Sequence, residues 1–581
     1  MWTAAREALE RHFGYTDFRP GQGEAIGAVL AGRDALVIMP TGSGKSLCYQ
    51  VPALVLPGLT LVVSPLIALM EDQVAALQRA GLPATLVNST LAPDELEARV
   101  DEAVAGRVKL LYLAPERFGS PAFRRTLPRM RVAFVAVDEA HCVSEWGHDF
   151  RPSYLRLPEI WPLIGSPPIL ALTATATPEV RRDIIAEVGL RRPRVVVRGF
   201  DRPNLRWRVR REEKLAGKCR ALLSAVEGAG GSSVIYGSTR KMVESATELL
   251  RSAGAVAVAY HAGLPQAARA EAQRAWTSGR VPIVVATNAF GMGIDKPDVR
   301  RVIHFQMPGS LEAYYQEAGR AGRDGEPADC LLLHGYGDRF IHEFFIRSAY
   351  PPRKVVVAMY RVLARAAASG PVRASRFVRR VPGVKSEREA YSALRILTEA
   401  GCVVNLAREA TCTVRWIARP ERVETLTVAL EAGNEAGGIF SDIEACAVLS
   451  GLARASGHGR RRFLRMERRE IGRWVPGGYP AARRGLDALQ AAGLLGWRDD
   501  GSAAGYAVTD VRMSPETIPV DWEKVGRRRA LEMRKLRSME GYAYARECRR
   551  RYLLRYFGEA YGRSRCGGCD RCGCRDPAVS V

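Results

Sequence analysis

The segment Met39-Pro40-Thr41-Gly42-Ser43-Gly44-Lys45-Ser46 follows directly on the apolar run Ala35-Leu36-Val37-Ile38. A short apolar strand, a glycine-bearing turn and a helix start form a unit that can wrap phosphates. Gly42 and Gly44 let backbone N–H groups converge on an anion without a Cβ in the way. Lys45 can reach the β and γ phosphates as a point charge, and the Ser46 hydroxyl can ligate Mg²⁺. Met39 stands where the usual phosphate-loop pattern has its first glycine. A second apolar run, Val132-Ala133-Phe134-Val135-Ala136-Val137, supplies the missing half. It ends in Asp138-Glu139-Ala140-His141, which gives one carboxylate for Mg²⁺ and one to orient water. The two signals predict an α/β nucleoside-triphosphate hydrolase with Lys45, Asp138 and Glu139 as catalytic residues and Ser46 and Asp138 as magnesium ligands.

The chain has 581 residues, too many for one hydrophobic core, so three to five domains are expected. It is 47% apolar and 25% charged, the balance of a globular protein. It has no cationic-then-apolar leader and no long uncharged apolar stretch, which excludes a membrane partner and predicts the cytosol. The net charge of +24 suits a polyanion, nucleic acid first, although arginine-rich codon usage would leave the same surplus. Eight of twelve cysteines are scattered from Cys48 to Cys548, whereas Cys566, Cys569, Cys572 and Cys574 crowd the end. In a reducing compartment the scattered ones read as buried thiols and the crowded ones as a metal site.

Longer strings are more specific. Phe13-Gly14-Tyr15, Phe18-Arg19-Pro20-Gly21-Gln22 and Ser64-Pro65-Leu66-Ile67-Ala68-Leu69-Met70-Glu71-Asp72-Gln73 flank the phosphate turn. Val137 to Pro152 and Leu172-Thr173-Ala174-Thr175-Ala176-Thr177 follow. Together they resemble the first motor lobe of RecQ-family DNA helicases. The resemblance implies that Tyr15, Arg19 and Gln22 hold adenine, Tyr15 by stacking and Gln22 at the purine edge. It also implies that Thr41, Gly42, Ser43, Gly44, Lys45 and Ser46, with Gln316 from a second lobe, surround the nucleotide. Trp146 and Phe150 beside Arg151 make a stacking surface for single-stranded bases. In the family this aromatic-rich loop links DNA binding to hydrolysis. Glu145 stands where relatives commonly carry Gln, so Trp146, Phe150 and Arg151 are assigned to DNA and Glu145 is not.

Phe200-Asp201-Arg202-Pro203-Asn204 resembles the family's hinge. Beyond it, strand patterns at 233–236, 257–260 and 282–286 predict a second parallel sheet, the last leading into Thr287 to Asp295. Gln316 to Gly325 then carries Arg320 and Arg323, one helical turn apart and expected on one helix face. By resemblance Arg323 is the finger on the γ phosphate, with Arg320 beside it. Such a residue acts only when the cleft closes, which ties hydrolysis to motion.

Near the end, residues 535–559 read as one long helix, followed by Cys566-Gly567-Gly568-Cys569-Asp570-Arg571-Cys572. Cys548, Cys566, Cys569 and Cys572 have the spacing for tetrahedral Zn²⁺, and they resemble the RecQ zinc module. Cys574 is a spare. The segment 524–575 carries 16 Lys and Arg against 5 Asp and Glu, a second candidate phosphate contact.

The expected domains are two RecA-like lobes at 1–199 and 200–345, winged-helix-like modules at 346–430 and 431–522, and a helical zinc module at 523–576. In the first module, helices at 355–367, 374–380 and 386–400 precede a wing pairing 402–405 with 411–417. In the second, a helix at 481–492 precedes a wing pairing 494–497 with 505–508. The arginines from Arg460 to Arg473 favour phosphate contact there. This order departs from the family, in which the zinc module follows the second lobe and a winged helix comes after it. That downstream winged helix is expected to be missing. The function implied is ATP-dependent 3′→5′ unwinding of duplex or branched DNA in repair and recombination, with ATP, Mg²⁺ and Zn²⁺ and a nucleoid-associated location. Single-strand-binding or recombination proteins are conceivable partners. The alternative is an ATP-gated clamp or translocase without strand separation.

Overall fold

The computed structural model describes the chain except residues 41, 89–90, 92, 148–149, 229, 291–295, 367–380, 407–409, 432–441, 461, 503–504, 511–512 and 574–581. The expected helix at 374–380, Thr41, Cys574 and the 291–295 end of one motif therefore lie outside the described residues. The chain forms two compact units. One holds Met1–Phe344 with the C-terminal stretch from Ala530, and the other holds Phe345–Arg529. Among the described residues no helix is long and apolar enough to cross a membrane.

The first lobe is a seven-stranded sheet of β1 (Ala35–Ile38), β2 (Leu59–Val63), β3 (Ala84–Val87), β4 (Leu110–Leu113), β5 (Val132–Val137), β6 (Ile169–Thr173) and β7 (Arg194–Val197). Their order is β3-β4-β2-β5-β6-β1-β7, with parallel pairing throughout. Strands β1 to β4 are buried along their whole length, as unbroken apolar runs require when helices cover both faces. The second lobe is a six-stranded parallel sheet of β8 (Leu205–Arg211), β9 (Ser232–Tyr236), β10 (Ala257–Tyr260), β11 (Ile283–Ala286), β12 (Val299–His304) and β13 (Ala328–His334). Its order is β10-β11-β9-β12-β13-β8. These are the two expected RecA-like lobes, and the phosphate turn and Asp138 leave the carboxyl ends of β1 and β5, where open parallel sheets hold ligands.

The long helix expected at 535–559 is two helices, Trp522–Tyr544 and Arg549–Tyr556. The break has a cause. The Arg549 guanidinium donates to the carbonyls of Tyr542 and Ala543 and pairs with Asp570 at 3.0 Å, so those carbonyls are satisfied without a continuing helix. Cys548 stands at the start of the second helix. The knuckle between Cys566 and Cys572 also covers the open edge of the second sheet. Trp207 N–H donates to Gly568 O at 3.0 Å, and Asp570 N–H donates to Trp207 O at 3.1 Å.

In the second unit, helices Arg353–Ala366, Glu387–Glu399 and Gly478–Ala491 fall where the apolar periodicity puts them. Ser386 caps the middle one by accepting from Glu389 N–H, and the Glu389 carboxylate returns to Lys385 N–H. The wings do not pair as expected. Strand β14 (Val403–Leu406) pairs with β18 (Gly505–Val508), while β15 (Ala410–Trp416) pairs with β16 (Phe463–Glu467) and β17 (Leu495–Ser502). The two modules are therefore interleaved. The described residues between Cys412 and Trp497 form one core, around Trp416, Leu449 and Leu486. The flanking segments close a second, in which Val356 and Leu394 meet Ile518 and Val520. Alternation in β15 buries Cys412, Val414 and Trp416, but it specifies a face and leaves the partner strand open.

Candidate functional site

After β1 the chain turns through Gly42 at φ 82° and Gly44 at φ 79° into the helix Leu47–Val55. Lys45 is part-buried in the turn, and its ammonium donates to the carbonyls of Met39 at 2.9 Å and Pro40 at 3.2 Å. Burial pushes its pKa down, against the pull of Glu139 and Asp138. The residues expected at adenine also brace this turn. Gln22 donates to the carbonyls of Ser43 at 3.2 Å and Gly44 at 3.0 Å and accepts from Arg19 N–H, while the Arg19 guanidinium donates to Gly42 O at 3.1 Å. Tyr15 stands half-exposed. Ser46 begins the helix behind the turn.

At the end of β5, burial and the neighbouring Glu139 charge push the Asp138 carboxyl up to about 7, which makes a cation beside it favourable. Glu139 holds φ 46° and ψ 44°, a left-handed conformation that costs a non-glycine residue about 1–2 kcal/mol. That twist turns the chain toward His141, whose Nδ1 lies 3.2 Å from Glu139 Oε2 and 2.8 Å from Thr173 Oγ1 at the end of β6. The hydroxyl of Ser46 and the carboxylate of Asp138 are hard oxygen donors, as Mg²⁺ requires.

The second lobe reaches this site. A Cβ on Gly42 would lie 3.1 Å from Arg323 Cγ, so the Arg323 stem lies against the phosphate turn. Arg323 also acts electrostatically on Lys45. Arg320 is buried, and its charge acts on the Tyr236 hydroxyl at the end of β9. Gln316 sits part-buried on the helix Leu311–Ala318. The two arginines do not share a helix face as expected, because that helix stops before them. Arg202 donates to the carbonyls of Gly319, Ala321 and Gly322, and Asn204 donates to those of Gly322 and Glu326. These side-chain donors hold the backbone between Gly319 and Glu326, and the arginines ride in that turn. Arg202 and Asn204 are site-shaping residues that the sequence marked only as hinge. Their sole signal was a charge and an amide flanking Pro203.

Beyond Asp138, the aromatic-rich loop packs on the same lobe. Ser144 is fully buried and donates to Asp183 at 2.6 Å. Trp146 remains 40% exposed, Phe150 is half-buried, and Arg151 donates to Pro65 O at 2.8 Å. His148 and Asp149 lie outside the described residues.

The Sγ atoms of Cys548, Cys566, Cys569 and Cys572 all lie within 4.8 Å of one another. Tetrahedral zinc with Zn–S bonds of about 2.3 Å needs sulfurs roughly 3.8 Å apart, so the four fit one ion with slight contraction. The same module grips the hinge. Phe557 stacks on Phe200, with centroids 4.7 Å apart and planes 7° from parallel. Arg550 donates to the carbonyls of Arg202, Pro203 and Leu205, and Arg181 of the first lobe donates to Phe557 O at 2.6 Å.

Residues 19–184 match the DEAD/DEAH box helicase family, 217–325 the helicase conserved C-terminal domain, and 509–573 the RecQ zinc-binding family. The chain is 45% identical over 357 residues to the ATP-dependent DNA helicase RecQ of Pasteurella multocida (strain Pm70), a match covering 61% of this chain and 56% of that one. It is 44% identical over 352 residues to the ATP-dependent DNA helicase RecQ of Bacillus subtilis (strain 168), covering 60% and 59%. Against the probable ATP-dependent DNA helicase RecS of Bacillus subtilis (strain 168) it is 40% identical over 363 residues, covering 62% of this chain and 73% of that one. The chain belongs to the RecQ family of helicases. It spans little more than half the length of these two RecQ relatives. In this RecQ-family chain the Phe345–Arg529 unit lies, in sequence, between the second lobe and the zinc cysteines.

Proposed function

We propose that this chain is an ATP-dependent DNA helicase that moves 3′→5′ along single-stranded DNA and opens duplex or branched DNA in repair and recombination. The observation that carries the reading is the Arg323 stem against Gly42, because it makes the ATP site a property of both lobes. In this reading Lys45 leaves its carbonyls for the β and γ phosphates, with Gly42, Ser43 and Gly44 lending backbone N–H groups. Thr41 and Gln316 complete the nucleotide site, Tyr15 stacks on adenine, and Arg19 and Gln22 exchange turn contacts for the base. Ser46 and Asp138 would hold Mg²⁺, which supplies charge neutralisation at the phosphates. Glu139, oriented by His141, positions and deprotonates water. Arg323, with Arg320 behind it, stabilises the transferring phosphoryl group. Closing of the lobes then accompanies hydrolysis, and Trp146, Phe150 and Arg151 report a bound base to Glu139. Four thiolates leave zinc no open position, so its role is structural. The family resemblance supports the polarity, the repair role and a cytoplasmic, nucleoid-associated location. The +24 charge supports DNA as partner.

The test is ATPase and unwinding on forked, nicked and four-way DNA, with and without residues 350–520. The reading predicts DNA-stimulated ATPase and ATP-dependent strand separation with a 3′ tail. Stimulated ATPase and movement without separation on any substrate would establish the clamp or translocase instead.

A further inference from the structure

The helix Trp522–Tyr544 reaches the aromatic-rich loop of the first lobe. Lys535 is 4% exposed, and its ammonium donates to Gly147 O at 2.6 Å and pairs with Glu532 at 3.1 Å. A buried ammonium is costly unless it is paired and hydrogen-bonded, so this contact is unlike a chance surface charge. One residue earlier, the Arg534 guanidinium lies over the Trp146 ring, 5.0 Å from its centroid. Gly147 is also closed in by His141, since a Cβ there would collide with the His141 carbonyl oxygen. His141 in turn faces Glu139 at 3.2 Å. Lys535, the Gly147 backbone, His141 and Glu139 thus form one contiguous run of contacts from the zinc module to the water-orienting carboxylate.

We infer that Lys535 is a positioning residue for the aromatic-rich loop, and that the zinc module, through Lys535 and Arg534, is part of the device that converts single-stranded DNA binding into ATP turnover. This rests on the reading of that loop as the DNA sensor. Arg534 orients the Trp146 ring while leaving it exposed for a base. Lys535 fixes the loop backbone at Gly147, so a displacement of Trp146 is passed toward His141 and is not lost in a slack loop.

The experiment measures ATP turnover of the full chain with and without oligo(dT), together with zinc per chain. Lys535→Met, which keeps the volume and removes the charge, should lower the ratio of stimulated to unstimulated turnover about tenfold at full zinc. Arg534→Ala should raise the oligo(dT) concentration for half-maximal stimulation about fivefold. Glu523→Ala, an exposed charge on the same helix outside the basic stretch 524–575, should leave both within about twofold. An unchanged ratio in Lys535→Met, or an equal loss in Glu523→Ala, overturns the inference. Should Lys535→Met lose zinc, the exposed Arg534→Ala decides, and an unchanged half-maximal concentration overturns it. Trp146→Ala separates the layers. If it lowers stimulation and Lys535→Met does not, only this inference falls; if it leaves stimulation unchanged, the sensor reading falls and the inference with it.

Discussion

Arg323 of the second lobe packs its side-chain stem against Gly42 of the first, and a Cβ at Gly42 would sit 3.1 Å from Arg323 Cγ. Glycine is favoured there by φ 82°, and the approach of Arg323 leaves little room for a side chain. The contact leads to the first prediction. Arg323→Ala should keep ATP binding within a few-fold and lower kcat by about 10³–10⁵, the range found where such fingers operate. Stopped-flow nucleotide binding beside steady-state turnover checks it. A large loss of affinity with kcat kept would make Arg323 a ground-state contact.

Lys45→Ala should abolish ATPase and unwinding while leaving DNA affinity largely intact, because the ammonium belongs to the phosphate turn. Fluorescence anisotropy on labelled single strands, run beside ATPase, reads both. DNA-stimulated turnover surviving in this variant would remove the motor site from the first lobe.

Glu139→Gln should bind nucleotide normally and turn over about 10²–10⁴ times more slowly, since it removes a general base and leaves Asp138 for the metal. Collapse of Mg²⁺-dependent ATP affinity would identify Glu139 as a metal ligand instead.

Trp146→Ala combined with Phe150→Ala should uncouple the two activities. Each lost base stack is worth about 1–3 kcal/mol, so stimulation by single-stranded DNA should fall at least tenfold. Titration of turnover against oligo(dT) measures it, and an unchanged stimulation factor would return the loop to a packing role.

Cys569→Ser should give a poorly folded or aggregating protein with less than one zinc per chain, because thiolate–zinc bonding contributes on the order of 10 kcal/mol to such small modules. DNA affinity should drop with it, and Cys574→Ser should be nearly silent. Metal analysis is decisive, since full zinc in Cys569→Ser and loss in Cys574→Ser would reassign the ligands.

The amino-acid sequence by itself determined the parts whose chemistry is local. The phosphate turn, the Asp138-Glu139 pair at a strand end and three of the four zinc cysteines each lie within a few residues, because converging N–H groups, a metal carboxylate and short thiolate loops need neighbouring backbone. Unbroken apolar runs likewise specified strands buried on both faces. Tertiary structure alone decided the rest. Alternation in β15 names a buried face without naming a partner, so only the assembled sheet revealed that β14 pairs with β18 and that the two modules interleave. Gln22 gripping the phosphate turn, Arg202 holding the turn around Arg320 and Lys535 holding Gly147 across 388 residues are single side chains donating to backbone carbonyls. Every residue offers such a carbonyl, so nothing in the sequence marks which one a distant donor will find.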